Sequence, residues 1–290
     1  MVIVSMNKIN SLIHARLPRA GLGNKLLVWA RAKVFGKVNN LSVITTGWSE
    51  IKIGPLLRKE RIKRFYFGYF RCEHPIKLIN LIYSYIVSKH VVEPHLVVQE
   101  LSSKSYLYIF KETPYPDYFI GIREHRDLIR SALFEIVSKS VLNKALKSPP
   151  PVIGVHIRRS DFSEDVRTPS KYFIESIRIV RHIRGENLPV TIFSDAYPDE
   201  LRDVLAVGNA IISPSRNALH DLISLSRSRC LILSDGSTFG YWAGFLADAP
   251  IILPKSLSSP IRAFSSNARY YEGEAQEDAL LVQNIGDMRF

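Results

Sequence analysis

From Pro149 to Pro254 the chain keeps alternating between short runs that are apolar throughout and longer amphipathic stretches. The apolar runs are PVIGVHI (151–157), LPVTIF (188–193), NAIIS (209–213), CLIL (230–233) and PIILP (250–254). Helices are predicted between them over 169–184, 198–206, 217–229 and 237–247. The first carries Phe173, Ile177, Val180 and Ile183 at helical spacing, and Asn217 is placed to cap the third. Strands with no polar face must be covered on both sides, which parallel sheets achieve through helical crossovers. Residues 149–260 therefore read as a Rossmann-like α/β domain.

The first half is less regular. Strands are predicted at 11–17, 41–45, 95–101 and 105–110, and helices at 25–35, 76–90 and 123–146. The segment SPPP (148–151) ends the last helix and forces an extended path, which sets the expected boundary between residues 1–148 and 149–260. Two α/β domains facing each other across a cleft are the natural architecture. The tail, 261–290, reads as irregular or helical, packing back on the body and onto the first domain.

At 290 residues and 46% hydrophobic, the chain can bury a sizeable core. It has no apolar run of 18 residues, so no membrane span is predicted, and its N-terminus does not read as a secretion signal. Two cysteines, Cys72 and Cys230, lie far apart without metal-ligand spacing. That favours a reducing, cytoplasmic setting and no zinc site. The net charge of +12 calls for an anionic partner, and the densest cluster is RKERIKRFYFGYFR, 58–71. This cluster reads either as a solvated basic face or as a peripheral contact with an anionic membrane. No nucleic-acid recognition motif is present, so nucleic acid is not the expected partner.

In an open parallel sheet, ligands bind beyond the carboxyl ends of the strands. Three such ends carry polar clusters: HIRRSD after one strand, FSDA (193–196) after a second, LSDGSTF (233–239) after a third. Arg158 and Arg159 point in alternate directions. One guanidinium can therefore face the crevice, where its fork matches phosphate oxygens. The other fixes the loop by pairing with Asp161 or another acid. His156 reads equally as a satisfied strand-end histidine or as a ligand contact. Gly236 permits a sharp turn, and Ser237 and Thr238 open the helix. The N–H groups there make an anion site or, on the plainer reading, only a cap. Phe239, Tyr241 and Trp242 are core residues, or one of them stacks on a base. Asp195 either accepts from a base or ribose or is a turn aspartate.

In the first half, RAGLGNKLLVWA (19–30) again joins strand, glycine turn and helix start. Gly21 and Gly23 allow close backbone approach, and Asn24 sits at the helix N-terminus. Leu26 takes the third glycine position of the dinucleotide fingerprint, so that motif is incomplete. The chain has no Asp-x-Asp pair to hold a nucleotide-bound metal, no Walker A sequence, no GxSxG and no HExxH.

Four stretches in order, AGLGNKLLVWARA, VHIRRSDF, IFSDAYPDEL and SDGSTFGYWAGFLA, resemble the bacterial alpha-1,2-fucosyltransferases of glycosyltransferase family 11. The pattern of that family runs roughly GGLGNQLFQYA, HxRRGDY, FSDD, SNSSFSWWGAWL. This chain departs from it at Ala20, Lys25, Leu27, Ser160, Ala196 and Gly240–Tyr241.

The resemblance implies a two-domain GT-B enzyme that takes GDP-fucose as donor, inverts the anomeric carbon and needs no metal or other cofactor. By motif position, Arg158 would hold the β-phosphate and neutralise the departing GDP, with His156 and Asp161 shaping its loop. Ser237, Thr238 and Phe239 would cradle phosphates and base, Asp195 would contact guanosine, and Gly21–Asn24 would close the cleft from the other side. An inverting transfer can use a general base on the acceptor hydroxyl, for which the first domain offers Glu124, His125, Asp127, His14 and Glu73; Glu124 in GIREHRD is the first choice, and a base is dispensable if the cation forms early. The implied acceptor is a hydroxyl of a surface-glycan precursor, carried on a lipid diphosphate at an anionic membrane. The rival readings are a GT-B transferase with another nucleotide sugar, a nucleotide-binding protein without transferase activity, and a basic RNA-binding module.

Overall fold

The computed structural model describes residues 11–49, 65–71, 74–95, 105–159, 162–215, 217–255, 270–273, 276 and 278–286. By internal contacts the chain falls into two compact units, and the division along the main body comes after Ile136.

The first unit is built on a parallel sheet of β1 (Leu12–Arg16), β2 (Ser42–Thr46), β3 (Lys89–Val92) and β4 (Tyr106–Phe110), in the order β2-β1-β4-β3. Helices α1 (Leu22–Val38), α2 (Pro75–Val87) and α3 (Arg126–Ile136) accompany it. Most of α1 is buried, Lys25 included. The predicted helix 76–90 stops at Val87, because Ser88 turns extended and Lys89–Val92 pairs with β4. This short edge strand of mixed polarity carries no apolar run by which sequence could announce it. The strand expected at 95–101 falls, after His95, outside the described residues.

The helix expected over 123–146 is interrupted. A 3₁₀ turn, Arg123–His125, leads into α3, and Ser138 adopts an extended conformation before α4 (Lys139–Lys147) begins. Serine favours the cap position over the helix interior, yet neither Gly nor Pro marks the break.

The second unit holds a six-stranded parallel sheet: β5 (Ile153–Ile157), β6 (Val190–Ser194), β7 (Ala210–Ile212), β8 (Cys230–Leu233), β9 (Ile251–Leu253) and β10 (Tyr270–Glu272). Its order is β10-β9-β8-β5-β6-β7. The helices are α4, α5 (Ser170–Arg184), α6 (Arg202–Leu205), α7 (Ala218–Ser226), α8 (Thr238–Leu246) and α9 (Ala279–Gly286). Ile153, Val155, Ile157, Ile192 and Ile232 form a core with Phe173, Ile177 and Val180 of α5. All five residues of β5 are buried, as expected for a central parallel strand.

Helix α4 packs on α7, and Arg227 fixes its end by donating to the carbonyls of Ala145 (2.5 Å) and Ser148 (2.9 Å). Residues 137–148 accordingly group with the second unit, although the sequence reading placed them with the first. The tail is also corrected. Its described parts join the second unit, β10 beside β9 and α9 against α5, where Arg184 donates to the carbonyl of Gly286 at 3.0 Å. Among the described residues no helix is long and apolar enough to cross a membrane.

Candidate functional site

Strand β5 lies between β6 and β8, and the chain leaves it in one direction through β6 and β7 and returns on the other side at β8. The loops after β5 and β8 therefore diverge, which is where open α/β sheets form a crevice. The pairing register brings the three strand ends together: Ile157 is opposite Ser194, and His156 opposite Leu233.

Backbone and side-chain bonds lock these ends. The Arg158 N–H donates to Ser234 Oγ at 2.9 Å, and the Ser234 hydroxyl donates to the His156 carbonyl at 3.0 Å. On the other flank, Ser194 Oγ donates to the Ile157 carbonyl at 2.7 Å. The loop bases are thus fixed before any ligand arrives.

The two arginines part company, as strand alternation requires. Arg158 stays one-fifth exposed and pairs with Asp195, Nη1 to Oδ2 at 2.7 Å. Its guanidinium lies over the Phe162 ring at 5.8 Å. Arg159 is buried and donates to the carbonyls of Thr168 (2.9 Å) and Arg158 (3.1 Å) and to Ser170 Oγ (3.3 Å). It anchors the loop as anticipated, but through backbone oxygens; Asp161 lies outside the described residues.

Asp195 is also buried. Its Oδ1 accepts the Arg159 N–H at 2.9 Å while its Oδ2 holds Arg158, so both oxygens serve the arginine loop. His156 is buried with its ring stacked on Phe239, centroids 5.1 Å apart. Burial, aided by the Arg158 charge and opposed by Asp195, pushes its pKa down to about 3. At neutral pH the ring is uncharged, and its Nδ1 has no hydrogen-bond partner.

After β8 the chain turns at Gly236, whose φ of +69° suits glycine. A Cβ there would come within 3.3 Å of Phe162. The Phe162 ring thus joins the arginine loop to the start of α8. Tyr241 braces the turn: its hydroxyl donates to Asp235 Oδ1 at 3.0 Å and receives the Gly236 N–H. Asp235 N–H in turn donates to Thr168 Oγ1 at 3.0 Å. Ser237 is buried at the cap position, while Thr238 and Phe239 stay half-buried in the first turn, whose N–H groups have no partner within the helix. Tyr241 and Trp242 are buried and stack on no open face. Phe162, Thr168 and Ser234 were not singled out as site residues from sequence; Phe162 and Ser234 lie within the motif stretches, whereas Thr168 carries no local signal.

The first-unit candidates are placed as follows. Gly21 is extended at the start of α1, Gly23 is buried, and Asn24 is half-buried with an unpartnered Oδ1. Glu124 is exposed on its 3₁₀ turn. His14 is buried in β1 with both ring nitrogens engaged, Nδ1 with Tyr85 Oη (2.6 Å) and Nε2 with Thr46 Oγ1 (2.8 Å). Burial, and then Arg16, lowers its pKa to about 4. Asp127 lies at the surface beside Arg126, at 3.4 Å, and Glu73 is outside the described residues.

The sequence pattern of glycosyl transferase family 11 matches residues 90–269, which contain the whole arginine loop, Asp195 and the start of α8. The chain belongs to glycosyl transferase family 11. Three solved structures share the fold of this family 11 chain. The fucosyltransferase NodZ from Bradyrhizobium is 15% identical, with 87% of this chain and 96% of that one covered at a TM-score of 0.54. NodZ alpha-1,6-fucosyltransferase soaked with GDP-fucose is 13% identical over 82% and 93%, with a TM-score of 0.50. POFUT1 in complex with GDP-fucose is 12% identical over 86% and 98%, with a TM-score of 0.52. At such identities the likeness gives the fold: α/β of the GT-B type, with two parallel-sheet units. No curated protein sequence matches the chain.

Three positions at which this family 11 chain departs from the expected pattern lie in described parts of the two units. Lys25 is fully buried and donates to the carbonyl of Gly47. Ala196, where the pattern has an acid, is buried at 1% exposure. Gly240 faces His156, and a Cβ there would lie 2.9 Å from Nδ1.

Proposed function

We propose that the chain transfers fucose from GDP-fucose to a hydroxyl of a surface-glycan precursor, in alpha-1,2 linkage and with inversion. The second unit holds the donor, and the first unit binds the acceptor. The observation that carries the reading is Arg158. It is a guanidinium aimed by a buried carboxylate, at the switch point of a parallel sheet and close to a helix start. Family membership and the GDP-fucose bound by two structures of like fold support the choice of donor.

Arg158 takes the β-phosphate through its guanidinium, and the first-turn N–H groups of α8 take further phosphate oxygens. Asp195 acts through Arg158, and direct guanosine contact is not assigned to it. Neutral His156 supports Phe239 without adding a second charge. In the transfer, the acceptor oxygen bonds the anomeric carbon as the carbon–phosphate oxygen bond breaks. The electron pair leaves with GDP, where fixed positive charge stabilises it. Glu124 is assigned to take the acceptor proton. No metal enters the scheme, in keeping with the lack of an Asp-x-Asp pair. The acceptor is carried on a lipid diphosphate at the cytoplasmic face of an anionic membrane, which suits the charge of +12.

Thermal stabilisation by GDP, GDP-fucose, GDP-mannose, UDP-glucose and ADP in excess EDTA tests the donor. A ligand at ~100 times its Kd adds about 2.7 kcal/mol. Stabilisation confined to guanine ligands and lost in Arg158→Ala supports the reading, and preference for uridine or adenine ligands rejects it. Product NMR with GDP-fucose and a panel of acceptors then reads the linkage and anomeric configuration, and any product other than an inverted alpha-1,2 one corrects that part.

A further inference from the structure

Helix α2, PIKLINLIYSYIV, is apolar over most of its circumference, yet only Leu81 and Ser84 of its residues are buried. Leu81 packs on Ile44, Leu107 and Ile109 of the first sheet. On the other side Ile76, Leu78, Ile79, Ile82, Tyr83 and Ile86 are exposed, Ile86 by 77%. At 100° per residue these six cover an arc of about 160°. A helix of such composition belongs inside a core, and a soluble surface rarely carries so continuous an apolar stripe.

Charge identifies what covers it. From His74 to Val92 the chain carries Lys77 and Lys89 and no acid, and both lysines are exposed. A second copy meeting this face symmetrically would bring like charges together. The helix, roughly 20 Å long by its rise per residue, is too short to span a bilayer.

We infer that α2 is a membrane-docking helix, lying in the plane of an anionic bilayer with Ile79, Ile82 and Ile86 among the acyl chains and Lys77 and Lys89 at the headgroups. The inference deepens the membrane contact in the function proposed above and rests on that reading for its purpose.

The test is flotation of the full chain with phosphatidylcholine vesicles, with and without 30% phosphatidylglycerol, at low and high salt. Binding at least tenfold stronger to the anionic vesicles and weakened by salt is expected. Ile79→Ser/Ile82→Ser/Ile86→Ser should lose at least tenfold in partition while keeping its melting temperature and its response to GDP. Should that variant fold poorly, Lys77→Glu/Lys89→Glu should show the same loss. Tryptophan emission of Ile82→Trp should shift to the blue only with anionic vesicles.

No binding at low salt, or unchanged binding by the variants, overturns the inference. So does a dimer that these substitutions dissociate, or Ile82→Trp emission already blue-shifted without vesicles and unmoved by them. GDP stabilisation is read separately: vesicle binding without a GDP response removes the donor reading and leaves the docking helix standing.

Discussion

One carboxylate organises both arginines of the loop after β5: Asp195 grips the Arg158 guanidinium at 2.7 Å and the Arg159 N–H at 2.9 Å. The partners come from adjacent strand ends, so the ion pair is set by sheet register. It holds a side chain that would otherwise sample many rotamers.

Asp195→Asn is nearly isosteric but turns an amide toward Arg158. Loss of this buried acceptor should cost about 1–3 kcal/mol of stability. Transfer from GDP-fucose should fall by roughly 10²-fold, the scale for losing one fixed charge-stabilising donor. Urea unfolding and steady-state kinetics read the two effects. Wild-type turnover in the variant would show that Arg158 does not need aiming.

The two arginines should separate in a paired experiment. Arg158→Ala should abolish stabilisation by GDP, and because it takes the counter-charge from the buried Asp195 carboxylate it should also cost about 1–3 kcal/mol of stability. Arg159→Ala leaves the Thr168 carbonyl without its donor and empties space beside Phe173, 5.8 Å from the guanidinium. It should cost about 2–4 kcal/mol of stability. Arg158→Lys should not restore binding, since an ammonium cannot make the paired contacts of a guanidinium.

Acid should destabilise the fold through its buried histidines. The folded-state pKa of His156 is about 3 and that of His14 about 4, both below the ordinary 6.5. The unfolded chain therefore binds more protons below pH 6.5, and stability falls with falling pH. The window runs from 6.5 to about 4 for His14 and to about 3 for His156. Each group contributes a slope of up to about 1.4 kcal/mol per pH unit within its window. Urea midpoints from pH 7 to 4 should show a shallower slope in His156→Gln, and an unchanged slope would mean that the ring protonates in place.

Gly240→Ala would set a methyl 2.9 Å from Nδ1 of a fully enclosed ring. Moving His156 disturbs its stack on Phe239, so the change should cost about 1–3 kcal/mol. The Kd for GDP should rise alongside. Stability and GDP affinity equal to wild type would show that the ring has room to move.

Much of the second unit was legible because local signals coincide there. The run CLIL became β8 with its bounds intact, and Asn217 caps α7 by accepting the N–H groups of Leu219 and His220 at 3.0 Å. The first unit was harder to read where these signals part. β3 is four residues of mixed polarity, and the break at Ser138 carries no glycine or proline. The end of the second unit misled for another reason: β10 is a strand only because β9 offers it an edge.

The site divides along the same line. Alternating apolar and amphipathic segments determine a parallel α/β sheet, and with it the strand ends at which the polar clusters lie, because both follow from local periodicity and from burial on two faces. Strand alternation also determines that Arg158 and Arg159 face opposite ways. Which one is buried, which acid aims the other, and why His156 stays neutral were decided only by tertiary structure. Those answers depend on Thr168, Asp195 and Phe239, brought in by separate loops and strands, and no local pattern encodes the register that places them.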